Sequence, residues 1–359
     1  MKTMRLQLLG LGGVGRTLME QVLESRSFHL QHLGLRLEMA AICDSSGTLA
    51  APSDAALEKA IESKRQGRSL ADLKGGRKDD PLELLRGLAA PDLIAVDCTA
   101  GEDTGPALAE ALERGAGVVL ANKKPLTGPL DLYRRLTPPG GRSRWESTVA
   151  SGVPVIATLN RLRAGNDRIE RIQGATSGTL GRLMTGLQQG RPFSRLVQEA
   201  HRQGATEPDP RDDLGGRDVA RKALILARGM GLALDLEDVQ VESLYPAHLD
   251  TLSIDEFLDA LQPLDSDYAR RSQEALKNGH TLRYMLSVTP GEVRAGLSAV
   301  PLDSPLARLR GNDNLIEFHT RHYPDSPLLL QGRGNGLQAT ANGTLSDIIE
   351  LCRPSIASW

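Results

Sequence analysis

The first organised pattern along the chain is "MRLQLLGLGGVGRTLMEQVLES". A short apolar run, Leu6 to Leu9, gives way to glycines and then to apolar positions at helical spacing, Val14, Leu18 and Val22. The stretch predicts strand, tight turn and helix. "LRLEMAAICDSSG" predicts a second strand ending at Asp44, and residues 50–90 are polar and read as mostly helical, broken at Gly75-Gly76. "PDLIAVDCTAGED" and "GAGVVLANKKPLTG" predict two buried strands with polar ends. "TGPALAEALERGAG" between them reads as a helix closed by Gly115. Strands alternating with helices predict an α/β parallel sheet with right-handed crossovers. The mostly unalternating apolar strands suit burial on both faces.

"LTPPGGRSR" reads as a connection near a domain boundary. Beyond it, "WESTVASGVPVIATLNRL" and "DRIERIQGATSGTLGRLMTGL" mix strand and helix patterns, and "LRYMLSVTPGEVRAGLSAV" predicts a hairpin around Pro290-Gly291. The ending "SPLLLQGRGNGLQATANGTLSDIIELC" returns to strand, glycine-rich turn and helix.

A chain of 359 residues has room for two domains. With 43 Lys+Arg against 45 Asp+Glu, the net charge of -2 offers no footprint for nucleic acid and no polybasic cluster for a membrane surface. Aromatics are 3%, so the cores must be built from aliphatic residues. Cys43, Cys98 and Cys352 are widely spaced, with no CxxC pair or Cys/His cluster for zinc. That usage fits a reducing cytoplasm. The N-terminal apolar run is short and broken by glycine, so it reads as a strand rather than a signal peptide. No apolar run reaches the length of about 18 residues that a membrane helix needs.

Gly10, Gly12 and Gly15 form G-x-G-x-x-G, with Gly13 as an extra glycine. Such a turn needs one glycine for its tightness, one for backbone approach to a pyrophosphate and one for helix–strand packing. The phosphates then meet the free N–H groups of the helix start, around Gly13 and Val14. The position after a strand and before a helix favours a dinucleotide site over a plain glycine-rich turn. Asp44, at the end of the second strand, is placed to accept from ribose hydroxyls and to repel a 2′-phosphate, which favours NAD over NADP. The alternative for Asp44 is a turn cap. Thr99 and Ala100, and Asn122 with Lys123, follow the next two strands, where ligands of open α/β sheets bind. Taken alone, Lys123 is equally a solvated loop lysine.

Five carboxylates crowd the stretch from Glu207 to Asp218 in "GATEPDPRDDLGGRDVARKALILA". Asp218 and Lys222 are i and i+4 on one helix face, a pair that by itself only stabilises a helix. A solvated acidic loop is the plain reading; a grip on a cationic amino group is the alternative.

Together "GLGGVG", "ANKKPL", "ESTVASGVPVI", "GATSGTLGRLM" and "EPDPRDDLGGRDVARK" resemble the homoserine dehydrogenases, in that family's order and over nearly the whole chain. The resemblance implies a Rossmann-type NAD(P)-binding domain over 1–145, completed by 330–359, and an α+β catalytic and dimerisation domain over 146–329. It implies NAD(P)-dependent interconversion of L-homoserine and L-aspartate 4-semialdehyde in threonine, methionine and isoleucine biosynthesis, by a cytoplasmic homodimer. A short, monofunctional form without an ACT or aspartate kinase domain is expected.

Residue by residue, the resemblance assigns the substrate to Glu207, Asp213, Asp218 and Lys222, with Thr176, Ser177 and Gly178 nearby. It extends the cofactor set to Gly334 and Gly336 in "LQGRGNG", where Arg333 and Asn335 depart from the more common GPGAG. Ser177 likewise stands where many relatives carry asparagine. A monovalent cation, usually sodium, is implied at Glu146, Val149, Ser151 and Val153, mostly through backbone. The alternative there is a turn shaped by Gly152 and Pro154. Hydride transfer from an alcohol needs a base for the hydroxyl proton. Lys123 is assigned that role and Lys222 the holding of the substrate oxygen, an order the sequence leaves open. Two other readings remain. A semialdehyde dehydrogenase would need a cysteine nucleophile, for which Cys98 is the candidate. A non-catalytic dinucleotide-binding regulator is supported by Arg333 and Asn335 alone.

Overall fold

The computed structural model describes residues 1–333 and 336–353. The chain divides into two compact units, Met1–Gly152 with Gly336–Trp359, and Val153–Asn335. The sequence reading placed these breaks at 145 and 329.

The first unit is built on seven strands: β1 (Lys2–Leu9), β2 (Leu35–Asp44), β3 (Gly47–Ala50), β4 (Gly76–Arg77), β5 (Leu93–Asp97), β6 (Gly117–Leu120) and β7 (Ser143–Arg144). Their order is β4-β3-β2-β1-β5-β6-β7. From β2 to β7 the pairing is parallel. The edge pairs β2–β3 and β3–β4 are antiparallel. These two strands lie in or beside the stretch read as mostly helical. The helices Asp54–Arg65 and Pro81–Leu88 are there, but strands of four and two residues are too short for alternation to reveal. The stretch "SFHLQHLG" lengthens the crossover from β1 to β2 and contains the helix Arg26–Leu33.

β1 and β5 are buried on both faces, as parallel central strands require: Leu6, Leu8, Ile94, Ala95 and Val96 have no exposed surface. The helix Gly13–Glu24 covers one face with Leu18, Met19 and Val22. The closing helix Leu337–Cys352 packs beside it and brings Ile348 and Leu351 into the same core.

The second unit holds β8 (Ile169–Ala175), β9 (Gln240–Val241), β10 (His280–Val288), β11 (Val293–Pro301), β12 (Asp313–Thr320) and β13 (Tyr323–Arg333), in the order β13-β12-β8-β10-β11-β9. Its pairs are antiparallel except β11–β9. The β10–β11 hairpin turns at Pro290-Gly291, and the helices Gly178–Gln188, Arg217–Met230 and Asp265–Lys277 pack on β10. Residues 330–333 end β13 and pair with β12 in this sheet, so the segment expected to complete the first domain from residue 330 joins it through the helix that starts at Leu337. Among the described residues no helix is long and apolar enough to cross a membrane.

Candidate active site

In the first unit, the ends of β1, β2 and β5 open into a cavity of about 1130 Å³. The glycine turn forms its floor. Gly10 has φ +94°, and a Cβ there would lie 2.7 Å from the Cys98 carbonyl carbon. A Cβ on Gly15 would lie 2.0 Å from the Gly10 oxygen, so only glycine lets the helix pack this close to the strand. Gly12 faces open space: a Cβ there would meet nothing within 4 Å, which leaves its backbone free to approach a ligand. Gly13 lies under the Leu337 side chain, and neither it nor Val14 lines the cavity.

Asp44 lines the cavity, and its carboxylate is already held. The Ser46 N–H donates to Oδ1 at 2.7 Å, and Lys64 Nζ lies 2.8 Å from Oδ2. Burial pushes its carboxyl upward, but the Lys64 ion pair and the Ser46 hydrogen bonds outweigh this and hold it below the usual carboxylate range. Arg16 also lines the cavity and donates to the Lys64 carbonyl at 3.2 Å. The sequence reading did not single out Arg16 or Lys64. Arg16 directly follows the third motif glycine, a position that could have pointed to it. Lys64 lies twenty positions beyond Asp44, past β3 and on the helix Asp54–Arg65, with no local signal.

Thr99 and Ala100 line the same cavity. Asn122 is buried, and its side chain donates to the Gly101 carbonyl at 2.8 Å. Lys123 is half-buried at the N-cap of the one-turn helix Lys124–Thr127. Gly336 caps the closing helix, while Gly334 and Asn335 lie outside the described residues. Burial pushes the Cys98 thiol far above its ordinary range, the wrong direction for the nucleophile of a semialdehyde dehydrogenase.

Glu146 is buried, and its N–H donates at 2.8 Å to Asp347 on the closing helix. Burial pushes Asp347 up to about 8, the Glu146 N–H opposes this, and the Glu146 carboxylate adds to it. Val149 is buried in the short helix Ser147–Ala150, and Ser151 follows it at φ +58°, a conformation unusual for a residue with a Cβ. These three belong to the first unit. Val153 opens the second, where its carbonyl accepts from the Val155 N–H at 2.8 Å.

In the second unit, the acid-rich stretch leads into the helix that carries Lys222. The helix Arg217–Met230 carries Asp218 in its first turn and Lys222 on the next. Lys222 is 8% exposed; its Nζ donates to the Thr176 carbonyl at 2.6 Å and lies 2.7 Å from Asp218 Oδ2. Thr176 directly follows β8, and its buried Oγ1 has no hydrogen-bond partner among the described residues. Ser177 caps the helix Gly178–Gln188, accepting from the Leu180 N–H at 3.3 Å. Asp213 Oδ2 accepts the Glu207 N–H at 2.7 Å. Burial pushes Asp213 up to about 6, aided by the charges of Glu207 and Asp218 and opposed by hydrogen bonds from Glu207 and Thr179. Asp209 is occupied otherwise: it caps the short helix Pro210–Leu214 and pairs with Arg211 at 2.7 Å. Asp212 is exposed in that helix's first turn.

Residues 154–349 match the family model for homoserine dehydrogenase, and residues 10–138 match the model for the homoserine dehydrogenase NAD-binding domain. The chain is 37% identical over 357 residues to bifunctional aspartokinase/homoserine dehydrogenase 1 of Arabidopsis thaliana, covering 97% of this chain and 39% of that protein. It is 35% identical to the bifunctional aspartokinase/homoserine dehydrogenase of Haemophilus influenzae, covering 97% of this chain and 43% of that one. The chain thus spans about two fifths of the length of these curated relatives. A crystal structure of a Candida auris protein of unknown function is similar at TM-score 0.85 with 28% identity, covering 98% of this chain and 99% of that one. That of a putative homoserine dehydrogenase from Archaeoglobus fulgidus is similar at 0.77 with 26% identity, covering 97% and 99%. With both domain models matched, the chain belongs to the homoserine dehydrogenase family.

Proposed function

We propose that the chain oxidises L-homoserine reversibly to L-aspartate 4-semialdehyde, with a nicotinamide dinucleotide as hydride carrier, as a cytoplasmic homodimer. The observation that carries this reading is the buried Lys222, fixed by the Thr176 carbonyl and Asp218. Homoserine brings an ammonium, a carboxylate and a primary hydroxyl. Glu207, Asp213 and Asp218 suit the ammonium through charge-assisted hydrogen bonds. The unpartnered Thr176 hydroxyl and the backbone at Ser177 and Gly178 suit the carboxylate. Lys222 holds the hydroxyl oxygen, and Lys123 takes its proton.

The first-unit cavity fits a dinucleotide: it has a volume of about 1130 Å³, an open Gly12, and a helix N-terminus suited to a pyrophosphate. When bound, the nicotinamide accepts the hydride. Gly12 approaches the phosphates in the turn that Gly10 and Gly15 allow, Asp44 takes the ribose, and Thr99 and Ala100 border the other end, with Asn122 behind them holding the Gly101 carbonyl. An all-oxygen set of Glu146 with the carbonyls of Val149, Ser151 and Val153 suits a hard monovalent cation such as sodium.

The ammonium grip is tested with 4-hydroxybutyrate, which is homoserine without its amino group. Its kcat/KM is expected to be lower by about 10–10²-fold, since the carboxylates lose the charge-assisted hydrogen bonds of the ammonium. Equal use of both alcohols would remove the acidic shell from the substrate site.

NAD is the expected carrier, and the geometry makes Asp44 the test. Its pairing with Lys64 at 2.8 Å means that removing the carboxylate frees a cation beside the ribose pocket. In Asp44→Ala the ratio of kcat/KM for NADP over NAD is expected to rise at least about tenfold, a change of about 1.4 kcal/mol. An unchanged ratio would show that Asp44 only caps its turn.

A further inference from the structure

Asp97 ends β5 with no exposed surface, and no motif in the sequence singles it out. Its two carboxylate oxygens gather the polar groups of two loops. Oδ1 accepts from the Thr99 N–H at 2.9 Å and the Thr99 hydroxyl at 2.7 Å. Oδ2 accepts from the Thr104 hydroxyl at 2.6 Å and from Asn122 Nδ2 at 3.1 Å. The Asp97 carbonyl accepts two more hydrogen bonds, from the Ala121 N–H at 2.9 Å and the Asn122 N–H at 3.1 Å. Asn122 Oδ1 in turn accepts the Lys124 N–H at 3.1 Å. Lys123 therefore sits in a turn whose backbone hangs from Asp97 at residues 121 and 122 and, through the Asn122 side chain, at residue 124. The other loop held by Asp97 carries Thr99, Gly101 and Thr104, all of which line the dinucleotide cavity.

We propose that Asp97 is a positioning residue: its carboxylate sets the turn of Lys123 against the loop 98–104, and so aims the proton-transferring amine at the reacting end of the cofactor cavity. This rests on the functional reading above for the role of Lys123. A buried acceptor that binds four donors from three residues across two loops is more than a strand-end cap. Removing its charge or its acceptor geometry shifts both loops together, and a misplacement of about 1 Å at a reacting group costs about 10²-fold in rate.

The chemistry of the cluster supplies a specific test. In Asp97→Asn the Thr99 N–H cannot turn away, so the amide oxygen must stay on that side. The new NH₂ then faces Asn122 Nδ2, donor against donor. Adding Asn122→Asp makes residue 122 an acceptor there and restores the pair with its polarity reversed. It still accepts the Lys124 N–H, and it loses the donors to the Gly101 carbonyl and to the Thr99 hydroxyl.

The experiment measures kcat and KM for L-homoserine, NAD affinity and the rate of Lys123 acetylation by mass spectrometry, in the full chain and its variants. In D97N, kcat is expected to fall about 10²-fold with KM for homoserine changed less than about threefold. The D97N/N122D double substitution is expected to recover at least about tenfold of that loss, a reversal that a merely structural role does not give. Thr104→Val removes one donor from Oδ2 at a distance from Lys123 and is expected to lower kcat about fivefold, which keeps the proposal testable if D97N fails to fold. Wild-type kcat in D97N or T104V overturns the proposal. So does a folded, NAD-binding double variant no faster than D97N. If the wild-type chain binds NAD but leaves homoserine unoxidised, the functional reading fails by itself. Lys123 labelling then decides the positioning claim: an altered rate in D97N supports it, and an unaltered rate overturns it.

Discussion

Replacing Lys222 by methionine is expected to lower kcat for L-homoserine oxidation by about 10³-fold while leaving NAD affinity within about twofold of wild type. The rate loss is the magnitude typical of removing a positioned acid–base or polarising group. The unchanged affinity follows from the place of Lys222: it lies in the second unit, and the dinucleotide cavity is lined by the first. Methionine keeps the apolar stem and drops the charge. Asp218 and the Thr176 carbonyl are stranded by the change. Asp218, at 46% side-chain exposure, is reached by water and loses little. The Thr176 carbonyl loses a 2.6 Å hydrogen bond in a buried setting, which costs about 1–3 kcal/mol. A melting curve recorded beside the rates separates this cost from catalysis. Wild-type turnover in Lys222→Met would return Asp218 and Lys222 to an ordinary i, i+4 helix pair.

Lys123→Ala is expected to cost about 10²–10⁴-fold in kcat, again with NAD binding near normal. Its diagnostic is different, because its assigned task is to carry a proton rather than to hold an oxygen. A small primary amine added to Lys123→Ala should restore part of the rate, in proportion to amine concentration, since the truncated side chain leaves room for a substitute base. The same amine should not restore Lys222→Met, whose methionine still fills its space. Rescue of neither variant, with both slow, would make both lysines holders of the substrate and leave the base unassigned. Wild-type turnover in Lys123→Ala would remove Lys123 from the mechanism. The pair of results orders two roles that the sequence alone left interchangeable.

The parts of the fold that could be read from the sequence are those whose signal is local. The glycine turn sits between a strand and a helix, with close approaches that demand glycine at Gly10 and Gly15 and open space at Gly12. The β10–β11 hairpin announces itself by two apolar runs around Pro290-Gly291. The strand end at Asp44 and the one just before Asn122 follow from apolar runs giving way to polar residues. What escaped depends on partners far along the chain. β3 and β4 gain their strand character from pairing at the sheet edge, with too few residues to show a period. β13 was legible as a strand, but its sheet was not, because apolar pattern does not say which neighbour a strand pairs with. The acid cluster was visible as composition. Its division into Asp213, tied to the Glu207 backbone, and Asp209, spent on Arg211, needed coordinates. Asp97 reads in sequence as one more acidic residue after a strand, yet it gathers Thr99, Thr104 and Asn122.

The most direct test of the account is the initial rate of reduced nicotinamide formation when the full chain is given L-homoserine and NAD in sodium-containing buffer. The expected result is a saturable rate in both substrates, with one L-aspartate 4-semialdehyde formed for each nicotinamide reduced. A folded, dinucleotide-binding protein that reduces neither NAD nor NADP with L-homoserine would contradict it.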